Sequence, residues 1–317
     1  MTNNVFLAAS ICLFLLVTNS FAQKDDLPLH LFSYDKTVPL ALTDSVIGHE
    51  DNVAIHRISF ASPVADRVNG LLFVPSGKGP FAGILLQHGA PGTAMNQTPR
   101  GVYVARHGAV VVAISAPFAE RSGQAIQLTP ADSVEQVTYM INLQRAVDLL
   151  LSRPDVDPTR LGYVGRSHGG AMGGLLAGIE SRLKTYILAV PDGGLISHFT
   201  IASGEPADQL PIPVEQRKRW LAAMMPIEPI RFIHRATSAT LFIQSARQDE
   251  AVSTFASEQL HKAAPAGTVV KWYDAGHRLN SQSYVDQLSW FHDKLGTTAP
   301  GPADQNGPNF PPPATKP

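Results

Sequence analysis

Cysteine is almost absent: among 317 residues the only thiol is Cys12, inside an N-terminal apolar run. Once that run is removed the chain has no thiol, which excludes disulfides, zinc–thiolate sites and a cysteine nucleophile. An excess of charge is missing too. Lys and Arg number 25 against 26 Asp and Glu, for a formal net charge of −1. There is thus no basic footprint for nucleic acid and no polybasic segment for an anionic membrane surface. With 44% hydrophobic and 16% charged residues, the bulk of the chain is not intrinsically disordered. The N-terminal apolar run, Val5 to Val17, has thirteen residues, where a membrane-spanning helix needs about 20.

That run is broken only by Ser10 and leads through polar Thr18-Asn19-Ser20 to Phe21-Ala22. Ser20 and Ala22 then stand at the −3 and −1 positions of a cleavage site. The residues before the run carry only the α-amino charge, and a buried core helix is the competing reading. Its terminal position and lack of an amphipathic pattern favour a signal peptide over residues 1–22. The mature chain then starts at Gln23 and is secreted or periplasmic, with no stable membrane insertion after cleavage. Cys12 has no small-residue lipobox around it, which argues against a lipid anchor.

From residue 50 onward strands and helices alternate. Val53–Phe60 and Val68–Val74 read as a pair of strands around a polar turn. Phe81–Gln87 and Ala109–Ser115 are short apolar runs of the kind buried on both faces of a parallel sheet. Gln97–His107 can form a helix between them. Asp132–Ser152, with Val134, Val137, Ile141, Val147 and Leu151 as its apolar positions, is a helix ended by Pro154. Leu161–Val164 is a strand, Ser167–Glu180 a small-residue helix and Thr185–Val190 another strand. After an irregular insert at 191–236, the strand Thr240–Gln244, a helix near Ser253–Ala264, the strand Val269–Tyr273 and a helix at Gln282–Leu295 follow. The fold class expected is α/β: one doubly wound, mainly parallel sheet with an antiparallel N-terminal edge, over residues 23–296. The stretch 297–317 holds seven prolines and no apolar periodicity, and reads as a disordered tail.

Gly165-Arg166-Ser167-His168-Gly169 matches Gly-x-Ser-x-Gly. The pattern alone is weak, but here it directly follows a strand and opens a small-residue helix. That is the setting in which a serine is thrust out on a strained turn. The helix N-terminus behind it favours a developing oxyanion. A serine hydroxyl needs a base. Of eleven histidines, His277 follows the strand Val269–Tyr273 in an Asp-Ala-Gly-His turn, at the same sheet edge as Ser167. Asp249, after Thr240–Gln244, is the acid that completes the order Ser, Asp, His. Asp192, after Thr185–Val190, is an alternative acid, although Pro191-Asp192-Gly193-Gly194 reads equally as a turn. Asp274 reads as a strand end, and Glu250 as pointing outward. The loop Gln87-His88-Gly89-Ala90-Pro91-Gly92 can turn its amides inward, so the Ala90 and His168 N–H groups are the oxyanion candidates. A plain tight turn is the other reading of that loop.

With the His88-Gly89 loop, Gly165–Gly169 and Asp249/His277 in this order, the sequence resembles the α/β-hydrolase superfamily. It is most similar to the branch of dienelactone-hydrolase-like and prolyl-oligopeptidase-like serine esterases. The passage from Ala146-Val147-Asp148 through Arg153-Pro154-Asp155 into Leu161-Gly162-Tyr163-Val164-Gly165 carries the same likeness. Dienelactone hydrolases proper use cysteine, so the serine here favours ester chemistry. The chain has no room for the propeller of prolyl-oligopeptidase-like peptidases. The resemblance implies an acyl-enzyme mechanism that needs no metal and no cofactor, with a small-molecule or saccharide ester as substrate.

The insert 191–236 falls where such hydrolases place a lid. Its Trp220 and Met224 are candidates to line an acyl pocket, with simple packing onto the core as the other reading. Arg166, beside the nucleophile, is either a contact for a polar substrate or half of a structural salt bridge. Beside the esterase, two other functions stay open: a peptidase or amidase with the same triad, and a non-catalytic binding protein on a hydrolase scaffold.

Overall fold

The computed structural model describes residues 26–121, 126–201, 210 and 212–310. The proposed signal peptide lies outside them. Nine strands form one sheet in the order β1-β2-β3-β5-β4-β6-β7-β8-β9. Strand β1 (Thr43–Glu50) and β2 (Val53–Ala61) make an antiparallel hairpin, and β3 (Arg67–Pro75) is antiparallel to both β2 and β5. From there β5 (Ala109–Ile114), β4 (Phe81–Gln87), β6 (Val156–Arg166), β7 (Thr185–Ala189), β8 (Thr240–Ala246) and β9 (Val269–Tyr273) run parallel. The β1–β2 turn places Asp51 and Asn52 at φ 46° and 62°, the left-handed pair that a two-residue hairpin requires.

Parallel strands must be covered on both faces, and β5, β7 and nearly all of β4 are buried throughout. Helix α1 (Thr98–Ala105) and α7 (Ser281–Leu295) supply Val102, Tyr103, Leu288 and Phe291 to one face. On the other face lie α2 (Ala131–Ser152), α3 (His168–Ile179) and α6 (Thr254–Ala263), with Met140, Leu143, Leu175 and Leu260 in the core. Each fully buried Val, Leu or Ile contributes about 1.5–3 kcal/mol, so these two layers hold the sheet. The described part of the insert folds as α4 (Leu195–Ile201), α5 (Val214–Met224) and short 3₁₀ turns.

Three features depart from the sequence reading. Strand β1 has no apolar stripe: nearly all of it is exposed, so nothing marks it in the sequence. Helix α2 buries Ile141 and Val147 and packs Val137 and Leu151 against the core, but Val134, the first position of the expected stripe, is 66% exposed. The helix is also enclosed on other sides. Its buried Gln136 and Gln144 donate to the carbonyls of Ile227 and Phe32, and Asn142 accepts from Ser62.

The third correction concerns the tail, which is docked over 297–310. The Asp304 carboxylate meets Arg106 Nη2 and His107 Nε2 and accepts the Gly301 N–H, and its carbonyl accepts the Tyr103 hydroxyl. Thr298 N donates to His107 O at 2.8 Å. Polar anchors hold this segment, so the search for an apolar face overlooks it. Residues 311–317 are outside the described residues.

Candidate active site

Strand β6 runs straight into Ser167, whose φ of 56° and ψ of −122° place a non-glycine residue in a sparsely allowed region. Such a conformation costs on the order of 1–3 kcal/mol and persists where its surroundings impose it. Here they do. Ser167 N donates to Ala189 O of β7 at 2.8 Å, and Ser167 O accepts the Ala171 N–H. A Cβ on Gly165 would sit 2.3 Å from Gly169 O, and one on Gly169 would sit 2.7 Å from His88 O. Both glycines of the motif are therefore required by contact. Any side chain there would pry the helix off the strand.

Ser167 Oγ lies 2.9 Å from His277 Nε2, and His277 Nδ1 lies 2.8 and 3.0 Å from the two carboxylate oxygens of Asp249. Asp249 Oδ1 also accepts the N–H groups of Ala251 and Val252, each at 2.9 Å. Burial raises the pKa of this carboxyl. The hydrogen bonds from His277 and the two amides outweigh it, and the net direction is below the ordinary carboxylate value. Asp249 thus stays charged beside the imidazole.

The loop that carries His277 is held by its main chain. Glu250 Oε2 accepts the His277 N–H at 2.9 Å, and Arg166 Nη2 donates to the His277 carbonyl at 3.0 Å. Glu250 therefore does not simply point outward, and Arg166 is engaged with protein. Both residues position the histidine. No sequence pattern signals either role, because both grip backbone atoms.

Asp192 is separate from His277. Its Oδ1 accepts the Gly194 N–H at 3.0 Å, and its Oδ2 lies 2.8 Å from His198 Nδ1. Trp220 and Met224 do not line a cleft. Both are fully buried in the core, and Trp220 Nε1 donates to Asp132 Oδ2 at 2.9 Å. Packing of the insert onto α2 accounts for their apolar character.

Opposite the serine, the loop after β4 is braced by His88, whose Nδ1 lies 2.9 Å from Gly89 O and whose Nε2 accepts the Ala116 N–H at 3.0 Å. Accepting at Nε2 requires the neutral ring, and burial lowers the His88 pKa accordingly. A Cβ on Gly89 would stand 3.0 Å from Ser167 Cβ, so this loop's backbone packs directly against the serine. His168 is the first residue of α3, where an amide has no intrahelical acceptor. Its ring stacks on Tyr139 at 5.8 Å and meets the edge of Phe118 at 5.2 Å. Burial drives the His168 pKa down to about 3, and Nδ1 has no hydrogen-bond partner among the described residues. A cavity of about 20 Å³, bordered by Pro117, Phe118, Tyr139, Leu195 and His168, adjoins it. No group of three or more metal-ligating side chains occurs among the described residues, and none of the described helices is long and apolar enough to cross a membrane.

No protein-family model and no curated protein matches the sequence. Solved structures do. An acetyl xylan esterase from Paenibacillus sp. R4 superposes with a TM-score of 0.67 at 17% identity, covering 88% of this chain and 99% of that one. Acetyl xylan esterase 1 from Thermoanaerobacterium sp. JW/SL YS485 gives 0.68 at 16% identity, over 84% of this chain and 91% of that one. A structure described as a dienelactone hydrolase from Klebsiella pneumoniae gives 0.56 at 15%, over 77% and 98%. The chain has the α/β-hydrolase fold.

Proposed function

We propose that the protein is an exported serine hydrolase that cleaves carboxylic esters through an acyl-enzyme. The observation that carries this reading is the hydrogen-bonded chain from Ser167 Oγ through His277 to Asp249. His277 Nε2 takes the Ser167 proton as Oγ attacks the acyl carbon, and Asp249 holds the imidazolium that forms. The carbonyl oxygen, now an oxyanion, sits between the N–H groups of Ala90 and His168. His277 then gives its proton to the departing alkoxide. Water, activated by the same histidine, releases the acid. Arg166 and Glu250 keep the imidazole at its working distance.

Small-molecule esters and acetylated saccharides are the substrates to try first, in keeping with neighbours named as acetyl xylan esterases. The test is labelling of the mature protein by a fluorophosphonate, followed by turnover of matched p-nitrophenyl acetate and p-nitroanilide acetate. Labelling at Ser167 with ester turnover far above amide turnover is expected. Preferential amide turnover would make the protein an amidase or peptidase, and no labelling would make it a binding protein on this scaffold.

A further inference from the structure

The loop that carries His277 is bent as well as gripped. Leu279 sits at φ 61°, and its N–H returns to Gly276 O at 2.9 Å, so His277 and Arg278 are the two central residues of a turn. A bulky residue in the left-handed region persists where its surroundings impose it. Two consecutive carbonyls of this turn are held by side chains from separate elements. Arg166, at the end of β6, donates Nη2 to His277 O at 3.0 Å. The Tyr284 hydroxyl, from α7, donates to Arg278 O at 3.2 Å. Tyr284 therefore holds the residue directly after the one that meets Ser167.

Tyr284 is only 8% exposed, because residues far from it in sequence enclose it. From α1, the Arg100 guanidinium lies 5.8 Å from the centre of the Tyr284 ring, and the Tyr103 ring meets it edge-on at 6.5 Å. Arg100 is 3% exposed, so this is a desolvated cation–π contact. From the docked tail, the Phe310 ring lies 5.8 Å from Tyr284, and a Cβ on Gly307 would lie 3.2 Å from Tyr284 Cδ2. Ser281, the first residue of α7, donates Oγ to Asn306 O at 3.1 Å. Asp304 rivets the tail to α1 and its flank, whereas residues 306–310 reach α7 and the ring that pins the His277 loop.

We propose that Tyr284 is a positioning residue for His277, and that the tail segment 306–310 holds it in place. This deepens the esterase reading and rests on it for the effect on turnover. Without the hydroxyl bond, Arg278 O is released and the strained turn relaxes. That carries the imidazole away from Ser167 Oγ, which it now meets at 2.9 Å. A small displacement within a reacting pair costs rate, while contacts to substrate elsewhere stay as they were. The signature is a lower kcat at an unchanged KM.

The test compares wild type with Tyr284→Phe, with truncation after Gln305, and with the two combined. Tyr284→Phe keeps the ring and loses only the hydroxyl. Truncation after Gln305 keeps Asp304 and removes the residues that touch Tyr284 and Ser281. On p-nitrophenyl acetate each single change is expected to lower kcat about tenfold, the size of one net hydrogen bond, with KM within about twofold of wild type. The combination should cost no more than about the larger single loss, because both act through one contact. In each variant the amides of residues 276–279 should exchange with deuterium faster than in wild type. If the truncated chain does not fold, Phe310→Ala takes its place in the same cycle. A ring that only packs the tail would move melting temperature and leave kcat alone. The proposal is overturned if either single change leaves kcat at its wild-type value, if the two losses multiply, or if exchange at 276–279 is unchanged in both. Fluorophosphonate labelling of the wild-type protein reports separately on the esterase reading. Should that labelling and ester turnover both fail, the exchange measurement alone decides whether the tail holds the loop.

Discussion

Two carboxylates in the C-terminal part of the chain are built alike and stand in different surroundings. Asp249 and Asp304 are both buried, both accept backbone N–H groups, and both lie against a histidine. Each pKa is lowered by those donors despite burial, which alone would raise it. The difference lies in the far nitrogen of the ring. His277 offers Nε2 to Ser167, a group that can react. His107 spends its other nitrogen on the Thr298 carbonyl, and Arg106 adds a second cation to the carboxylate. On the proposed reading, an aspartate–histidine pair serves chemistry when one ring nitrogen faces a nucleophile; where both nitrogens are tied to protein, as at His107, it is a rivet.

The sharpest way to break the comparison is at the nucleophile. Ser167→Ala should leave the fold intact and lower kcat by roughly five to six orders of magnitude, measured on p-nitrophenyl acetate. A variant that retains a tenth of wild-type activity would remove Ser167 from the chemistry. Asp249→Asn should cost about 10⁴ in kcat, because the neutral amide no longer stabilises the imidazolium and can select the wrong tautomer. Asp304→Asn is the matched change at the rivet. Its kcat below the melting transition should stay within about threefold of wild type, since nothing there touches the serine. Its stability should fall by about 1–3 kcal/mol, because Arg106 loses one of its two carboxylates and His107 loses the carboxylate at Nε2. Truncation after Gly296 removes the whole rivet, and a drop in melting temperature of more than about 5 °C is expected for it.

The smallest expected effect is on pH dependence. Asp304 has a folded-state pKa below its unfolded value of about 3.9. The stability it contributes is present above that unfolded value and is lost as pH falls through the lower, folded one. The melting temperatures of wild type and Asp304→Asn should therefore differ by a constant amount near neutral pH and converge below about pH 4. A difference that persists undiminished at pH 2 would show that packing, and not charge, holds the tail.

The parts of the fold that were legible are those whose physics is local. An apolar strand running into Gly165–Gly169 announces the elbow because no side chain fits at either glycine. Ser167, Asp249 and His277 could be nominated because each lies at the end of a recognisable parallel strand, and such ends share one edge. Features held by polar contacts across the chain left no trace. Strand β1 has no buried face, and the tail is held by Asp304 and backbone hydrogen bonds. Arg166 and Glu250 grip main-chain atoms, which any residue supplies. Trp220 and Met224 show the converse: a lid facing substrate and a helix packed on the core share one apolar composition, so composition could not separate them.

The docked tail also bears on how the chain is made. Tyr103, Arg106 and His107 belong to α1 and its flank, yet their partner lies about two hundred positions later. On the ribosome, or while threading through an export channel, Arg106 can meet Asp51, but His107 and the Tyr103 hydroxyl still lack the Asp304 group that holds them in the finished fold. Contacts of such sequence separation form late because long loops must close first. Completion of the fold thus waits for the last segment to emerge. A nascent chain stalled before residue 304 should exchange the amide protons of α1 faster than the finished protein does, while the strands already paired stay protected.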